Sequence, residues 1–342
     1  MRDLGSQNQM RAGPLFFKVT RMRSLPFKIA ATAMLLASLG APSALAYPDK
    51  PVTIIVAVAA GASPDIIARI LGDKLTNVWK QQVVIVNRPG GGGIIAAQAA
   101  AAANPDGYTL YMPLSSTFVV LPESKQHGPK LAELFHDLLP VGLIGEQPMA
   151  IAVSPSLGVA TLTELIALAK RRPGELLYGA SRGSVPHMTG ELVQARADIK
   201  LGFVPTTGAA KVVQDVLGGN LSVVIDSLPS LTAALESGGI KGLAIATNKR
   251  LLTHPDLPTV SETLPGVTAR GWFALMAPAK TPENVVQKIG ADLRTVLNDP
   301  DLKRRFEVIG TFSLPATVEE TRTYINTEQE LWRPTVRAIG VD

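Results

Sequence analysis

With 342 residues, 46% of them hydrophobic and 18% charged, the chain has the make-up of a folded protein rather than of a solvated, disordered one. It contains no cysteine, which excludes disulfides, thiolate metal sites and thiol catalysis, and its four histidines (His127, His136, His187, His254) show no metal-ligand spacing. A formal net charge of +5 suggests a nucleic-acid partner only if the cations lie on the folded domain.

They do not. Arg2, Arg11, Lys18, Arg21, Arg23 and Lys28 all lie within the first 46 residues, against the single acid Asp3. Taking that segment away removes five net positive charges and leaves zero, so no nucleic-acid partner is expected. The same segment reads as an export leader: a basic region, the apolar run Ile29 to Ala37, then Gly40-Ala41-Pro42-Ser43 and the small-residue site Ala44-Leu45-Ala46. The run is too short for a membrane span, which needs about 20 apolar residues. Cleavage is expected after Ala46, with the protein delivered to the periplasm. Met22-Arg23-Ser24 would begin a leader of ordinary length by itself.

The remaining 296 residues (342 less 46) exceed one ordinary hydrophobic core, so two lobes are expected. Val52 to Val58 is a continuous β-branched run, as in a strand buried on both faces, and Ile66, Ile67, Ile70, Leu71 and Leu75 follow at helical spacing. Val83 to Val86 predicts a second strand, Gly90 to Gly93 a glycine loop, Ile94 to Ala103 a helix and Tyr108 to Met112 a third strand. After Pro140 the alternation restarts. Strands are predicted at 141–144, 149–153, 176–178, 201–204, 221–225 and 242–246, with helices at 162–171, 186–197, 209–217 and 228–235. One more strand, 272–277, precedes helices at 282–297, 302–308 and 318–339. Strand and helix in alternation give an α/β fold with mainly parallel sheets flanked by helices.

In such sheets ligands bind beyond the carboxyl ends of the strands, where helix N-termini present unpaired N–H groups. Four junctions qualify: Ala59 to Asp65, Asn87 to Gly93, Ser181 to Ser184 and Thr206-Thr207-Gly208. Each of their side chains has two readings. Ser63, Asp65, Ser184 and Asp226 are ligand contacts or helix caps, and His187 is a ligand contact or a packed, hydrogen-bonded core residue. The glycine run fits neither the dinucleotide nor the P-loop spacing. No G-x-S-x-G elbow is present, and Ser184 with His187 three residues on is a poor nucleophile and base pair, so no enzyme and no cofactor are expected.

The chain resembles the substrate-binding proteins of tripartite tricarboxylate transporters, the Bug family, along nearly its whole length after the leader. The motifs that carry the resemblance are Tyr47-Pro48-Asp49-Lys50-Pro51, Asn87 to Gly93, Asn104-Pro105-Asp106-Gly107-Tyr108-Thr109-Leu110 and Gly183-Ser184-Val185-Pro186-His187. Leu217-Gly218-Gly219-Asn220, Leu257-Pro258-Thr259-Val260-Ser261-Glu262 and Trp272 to Pro278 continue it in order. The resemblance implies a monomeric, two-lobed periplasmic binding protein of type II-like build, with two crossovers between lobes. Lobe 1 would take 47–147 plus 272–342, and lobe 2 would take 148–271.

The implied ligand is a small mono- or dicarboxylate, held by Gly61, Ala62, Ser63, Asp65 and Ser115 from the first lobe. The second lobe would contribute Ala180, Ser181, Gly183, Ser184, His187, Thr206, Thr207, Gly208 and Asp226. The implied partner is a membrane permease, with a ligand-responsive sensor acting on a kinase as the rival reading and an exported hydrolase as a remote one. Three stretches depart from the family pattern. Ala57 to Asp65 lacks two prolines and a glycine, Val204-Pro205-Thr206-Thr207-Gly208 lacks a tyrosine and a lysine, and Ser115-Ser116-Thr117-Phe118 with the polar stretch Glu123 to Lys130 replaces an Asn-Pro segment.

Overall fold

The computed structural model describes residues 47–123 and 128–340; the leader, the cleavage after Ala46, the alternative start at Met22 and the segment 124–127 with His127 lie outside the described residues. The first strand, β1 (Val52–Val56), runs parallel between β2 (Val83–Asn87) and β3 (Thr109–Met112). Helix α1 (Ser63–Trp79) returns the chain between β1 and β2, with Pro64 in its first turn and Lys80 ending it at φ 55°. Its apolar stripe, Ile67, Leu71 and Leu75, is fully buried against Val52, Ile54 and Val56. Helix α2 (Ile94–Ala101) covers the opposite face, where Ala96, Ala97 and Ala100 let its backbone lie close to Ile55 and Tyr111.

Beyond these come the short α3 (Ser115–Val119) and α4 (Gly128–His136), then β4 (Leu138–Val153), a strand of 16 residues. The sequence predicts two strands here, split at Gly145-Glu146-Gln147-Pro148. The structure joins them because β4 exchanges partners in mid-course instead of stopping. Residues Leu138 to Pro148 pair antiparallel with β9 (Arg270–Pro278), and Met149 to Val153 pair with β7 (Val223–Ser227) and β8 (Lys241–Ile245). Pro148, which has no N–H to donate, falls at the exchange. At Gly145 the two-residue strand β10 (Phe312–Ser313) approaches so closely that a Cβ would stand 2.7 Å from the Phe312 carbonyl oxygen.

The second set of parallel strands is β5 (Leu177–Ala180), β6 (Gly202–Pro205) and β7, in the order β7-β5-β6. Around it lie α5 (Leu162–Arg171), α6 (Val185–Ala197), α7 (Ala209–Leu217), α8 (Leu228–Glu236) and the single turn α9 (Val260–Thr263). Val212, Val216, Leu228 and Leu231 pack on Ala150, Ala152 and Val224 to make one core. The chain then returns along β9 and ends in α10 (Glu283–Leu297), α11 (Pro300–Val308) and α12 (Val318–Ile339), the first two packed with α1 on β1. The predicted parallel strands thus lie at the flanks of the sheet, and the connecting strands β4 and β9 are antiparallel. Trp272, fully buried on β9, belongs to a core cluster that runs from Ile55 and Tyr111 through Met149 to Tyr178 and Val193.

Candidate functional site

The loop from β1 into α1 is shaped by Asp65. This side chain is 2% exposed and accepts hydrogen bonds from the Gly61 N–H (2.9 Å), Asn87 Nδ2 (2.8 Å) and Arg69 Nε (2.9 Å). Burial acts to raise its pKa, but the bonds from Arg69, Gly61 and Asn87 outweigh it and hold the carboxyl at about 2. Asp65 therefore folds the loop around itself, with Gly61 at φ 85°, and its charge is already met. Ala62, the N-cap of α1, offers no side chain to the first turn. The N–H groups of Asp65 and Ile66 return to the Ala62 carbonyl and Pro64 has none, so Ser63 is the first-turn N–H without a partner among the described residues. Its hydroxyl accepts from Gln147 Nε2 at 2.7 Å, and the same nitrogen donates to Thr311 Oγ1 at 2.8 Å. Gln147 thereby ties the loop to β4 beside the point where that strand changes partners.

On the other side, β5, β6 and β7 are neighbours and end together, so Ala180, Thr206 and Asp226 converge at one edge. The loop after β5 is closed on itself. The Ser184 N–H donates to the Ser181 carbonyl (3.0 Å), Ser184 Oγ accepts from the His187 N–H (3.4 Å), and the Gly183 N–H donates to His187 Nδ1 (3.1 Å). Because Nδ1 is an acceptor, the neutral ring carries its proton on Nε2, which lies 3.9 Å from Glu191 Oε1. The ring stacks on Phe203 at 4.0 Å, and the Arg182 guanidinium lies 5.3 Å from that same phenyl centroid. Burial, with Arg182 nearby, lowers the histidine pKa against the pull of Glu191. His187 is thus the packed core residue of the two readings, and it serves the loop from within.

The loop after β6 is open by contrast. The Thr206 N–H donates to the Ala180 carbonyl at 3.0 Å, its methyl faces Gly179, and its Oγ1 is buried without a partner among the described residues. Thr207 is exposed, and Gly208, the N-cap of α7 at φ 141°, supplies no capping side chain. Asp226, half-buried near the end of β7, takes its hydrogen bonds from Ser227 (N–H at 2.7 Å, hydroxyl at 3.3 Å) and lies by Ser230, whose hydroxyl is 2.8 Å from that of Ser227. Burial pushes its carboxyl up to about 6 against those bonds, and no ion pair relieves it among the described residues.

Two contacts bracket this edge. Ser63 and Ile66 share a cavity of 300 Å³ with Pro229, Ser230 and Thr232 at the start of α8. Ser115, 6% exposed, borders a 10 Å³ void with Val185 and Met188 of α6 and with Arg270 and Trp272 of β9. Of the residues picked from sequence, Ser63 and Ser115 on one bank thus face the starts of α8 and α6 across a junction, and Ala180, Thr206 and Asp226 lie at the ends of three neighbouring strands on the other bank; Asp65 and His187 are turned into their own loops. A larger cavity of 470 Å³, between α3, α4 and α12, has none of them in its lining.

Three participants escape a reading by sequence alone. Gln147 and Ser230 sit in no motif. Arg270 bridges Glu146 (3.3 Å) and Glu328 (3.8 Å), and Glu328 does leave a signal: it interrupts the buried stripe Thr321, Ile325, Trp332, Val336 of α12. Ser184 and His187 touch only through backbone and capping bonds, without the nucleophile and base contact that acyl transfer needs. Among the described residues no group of three or more His, Asp or Glu is placed to hold a metal ion, and no helix is long and apolar enough to cross a membrane.

The model of the family described as "Tripartite tricarboxylate transporter family receptor" matches residues 67–341. Protein BugT of Bordetella pertussis is 33% identical over 308 residues, covering 89% of this chain and 94% of BugT. Among solved structures, R. palustris Rpa4515 with adipate is 30% identical with a TM-score of 0.77, covering 86% of this chain and 99% of its own. MatC from Rhodopseudomonas palustris with bound malate is 27% identical with a TM-score of 0.73, covering 85% and 100%.

Proposed function

The chain belongs to the tripartite tricarboxylate transporter receptor family, and on that premise we propose that it captures a small organic carboxylate between two lobes and delivers it to the membrane permease of such a transporter. The lobes are 47–147 plus 272–342 and 148–271, divided where β4 exchanges β9 for β7 and β8. Export by the leader and removal of residues 1–46 place the receptor in the periplasm. What supports the reading is the chemistry of the junction. The first turn of α1 and the start of α7 both lack capping side chains, and the Thr206 hydroxyl just before α7 has no partner among the described residues. Such ends attract an anion through N–H groups and the helix dipole, without a buried cation. Adipate and malate in the two solved relatives are solutes of that kind.

In this mechanism the carboxylate first docks on the Ser63 N–H and hydroxyl. The second lobe then swings in to supply Ser181, Thr206 and the start of α7, and closure gains only from contacts that the ligand makes better in the closed form. Thermal-shift and calorimetric screening of the purified protein against organic acids, amines and sugars tests this. Organic acids are expected to bind; no acid binding at millimolar concentration, with an amine or a sugar binding instead, overturns it.

A further inference from the structure

The geometry points to a solute with a hydroxyl or amino group at the end remote from its carboxylate, received by the Asp226 carboxylate; this rests on the carboxylate reading above. The junction is unequal in charge. The first-lobe bank offers donors: the Ser63 N–H and hydroxyl, and the start of α1. Its one carboxylate, Asp65, is turned inward and matched by Arg69. The second-lobe bank carries an acid that nothing matches. Asp226 is held by Ser227, with Ser230 beyond, and no lysine or arginine pairs with it among the described residues.

Asp226 is half-buried, and its side chain leads through two serine hydroxyls toward the first-lobe bank. It follows Ile225 at the end of β7, and its neighbour Ser227 reaches Ser230, which shares the 300 Å³ cavity with Ser63 of the opposite bank. The second side chain at this edge, Thr206, keeps a buried hydroxyl without a partner, able to donate or accept. An unmatched carboxylate in such a place repels a second carboxylate brought close to it and favours a donor. A solute that puts its carboxylate on the first bank and a hydroxyl or ammonium group on the second satisfies both ends. A dicarboxylate of the same length satisfies one and opposes the other.

The test compares matched solutes by calorimetry at pH 7.5. Succinate, adipate and terephthalate are each set against their counterparts of equal length in which one carboxylate is replaced by hydroxyl or by amine, using the native protein and Asp226→Asn. Native protein is expected to bind at least one hydroxy or amino acid tighter than its matched dicarboxylate by about tenfold or more, the scale of one opposed charge or unmade charged hydrogen bond. In Asp226→Asn that preference is expected to shrink to about threefold or less. A dicarboxylate that binds the native protein as tightly as its counterparts, or a preference unchanged in the variant, overturns the inference and leaves the carboxylate reading intact. Failure of every acid, dicarboxylate and counterpart alike, overturns both.

Discussion

Asp65, in the first turn of α1, and Asp226, near the end of β7, are both aspartates, yet their surroundings drive them in opposite directions. Asp65 accepts from Arg69, Gly61 and Asn87, so its folded pKa of about 2 lies below that of the unfolded chain, near 4. Its contribution to stability is therefore complete above about pH 4 and is lost as the pH falls through 2. Asp65→Asn is expected to cost on the order of 1 to 2 kcal/mol at pH 7, a figure discounted for the half-exposed Arg69, and much less at pH 2.5, by urea unfolding. Asp226 has the opposite sign. With a folded pKa of about 6, it keeps its proton in the native state between about pH 4 and 6 while the unfolded chain has already lost it, so stability falls as the pH rises through that window. Asp226→Asn should be more stable than the native protein at pH 7.5 by on the order of 1 to 2 kcal/mol and equal to it at pH 4.

At the scale of elements, the strand that matters most is β4, because its partner exchange separates the two halves of the sheet. Its first part depends on close approach. At Gly145 a side chain would meet the Phe312 carbonyl, and at Gly142 a Cβ would stand 3.2 Å from the Ala316 carbonyl and 2.8 Å from Leu293 Cδ2. Gly145→Val is expected to displace β10 and destabilise the protein by about 2 kcal/mol or more, measured by urea unfolding, because the obstacle is backbone and cannot rotate away. Thr311 precedes β10 and shares Gln147 Nε2 with Ser63, so the same substitution should also weaken solute binding without touching a ligand contact.

For the whole molecule, the most exposed risk lies where β9 meets β4. Arg270 pairs with Glu146 on the neighbouring strand and with Glu328, which α12 buries to 4% exposure, and the Trp332 indole donates to the same glutamate at 3.3 Å. Burial raises the Glu328 pKa while Arg270 opposes the rise. Removing the cation strands the acid in the interior. Arg270→Ala is expected to cost about 3 kcal/mol or more, and Arg270→Ala with Glu328→Gln should recover a good part of that loss, as a double-mutant cycle on unfolding free energy would read. Because Arg270 adjoins Pro148 in the ladder, where β4 changes partners, the single variant should also loosen the pairing of β4 with β9 at that point.

What the sequence determined by itself was everything that depends on local pattern. Periodicity located α1, α5, α7 and α12, and β-branched runs located the parallel strands. Motifs such as Asn87 to Gly93 and Gly183 to His187 carried the family. The candidate site was read from the sequence as a set of loops, because ligands of open α/β sheets bind beyond strand ends where helices start. Which of its side chains are already engaged was decided only in three dimensions. Asp65 and Asp226 look alike in the chain, and only the positions of Arg69, Asn87 and Gly61 around one of them tell them apart. Ser184 and His187 turned into each other for the same reason. The continuous β4 was equally hidden, because Gly145 and Pro148 end a strand by local propensity, whereas hydrogen bonds from β9 on one side of the exchange and β7 and β8 on the other hold it extended. Local chemistry sets what a segment can become, and partners distant in sequence decide what its polar groups are left free to do.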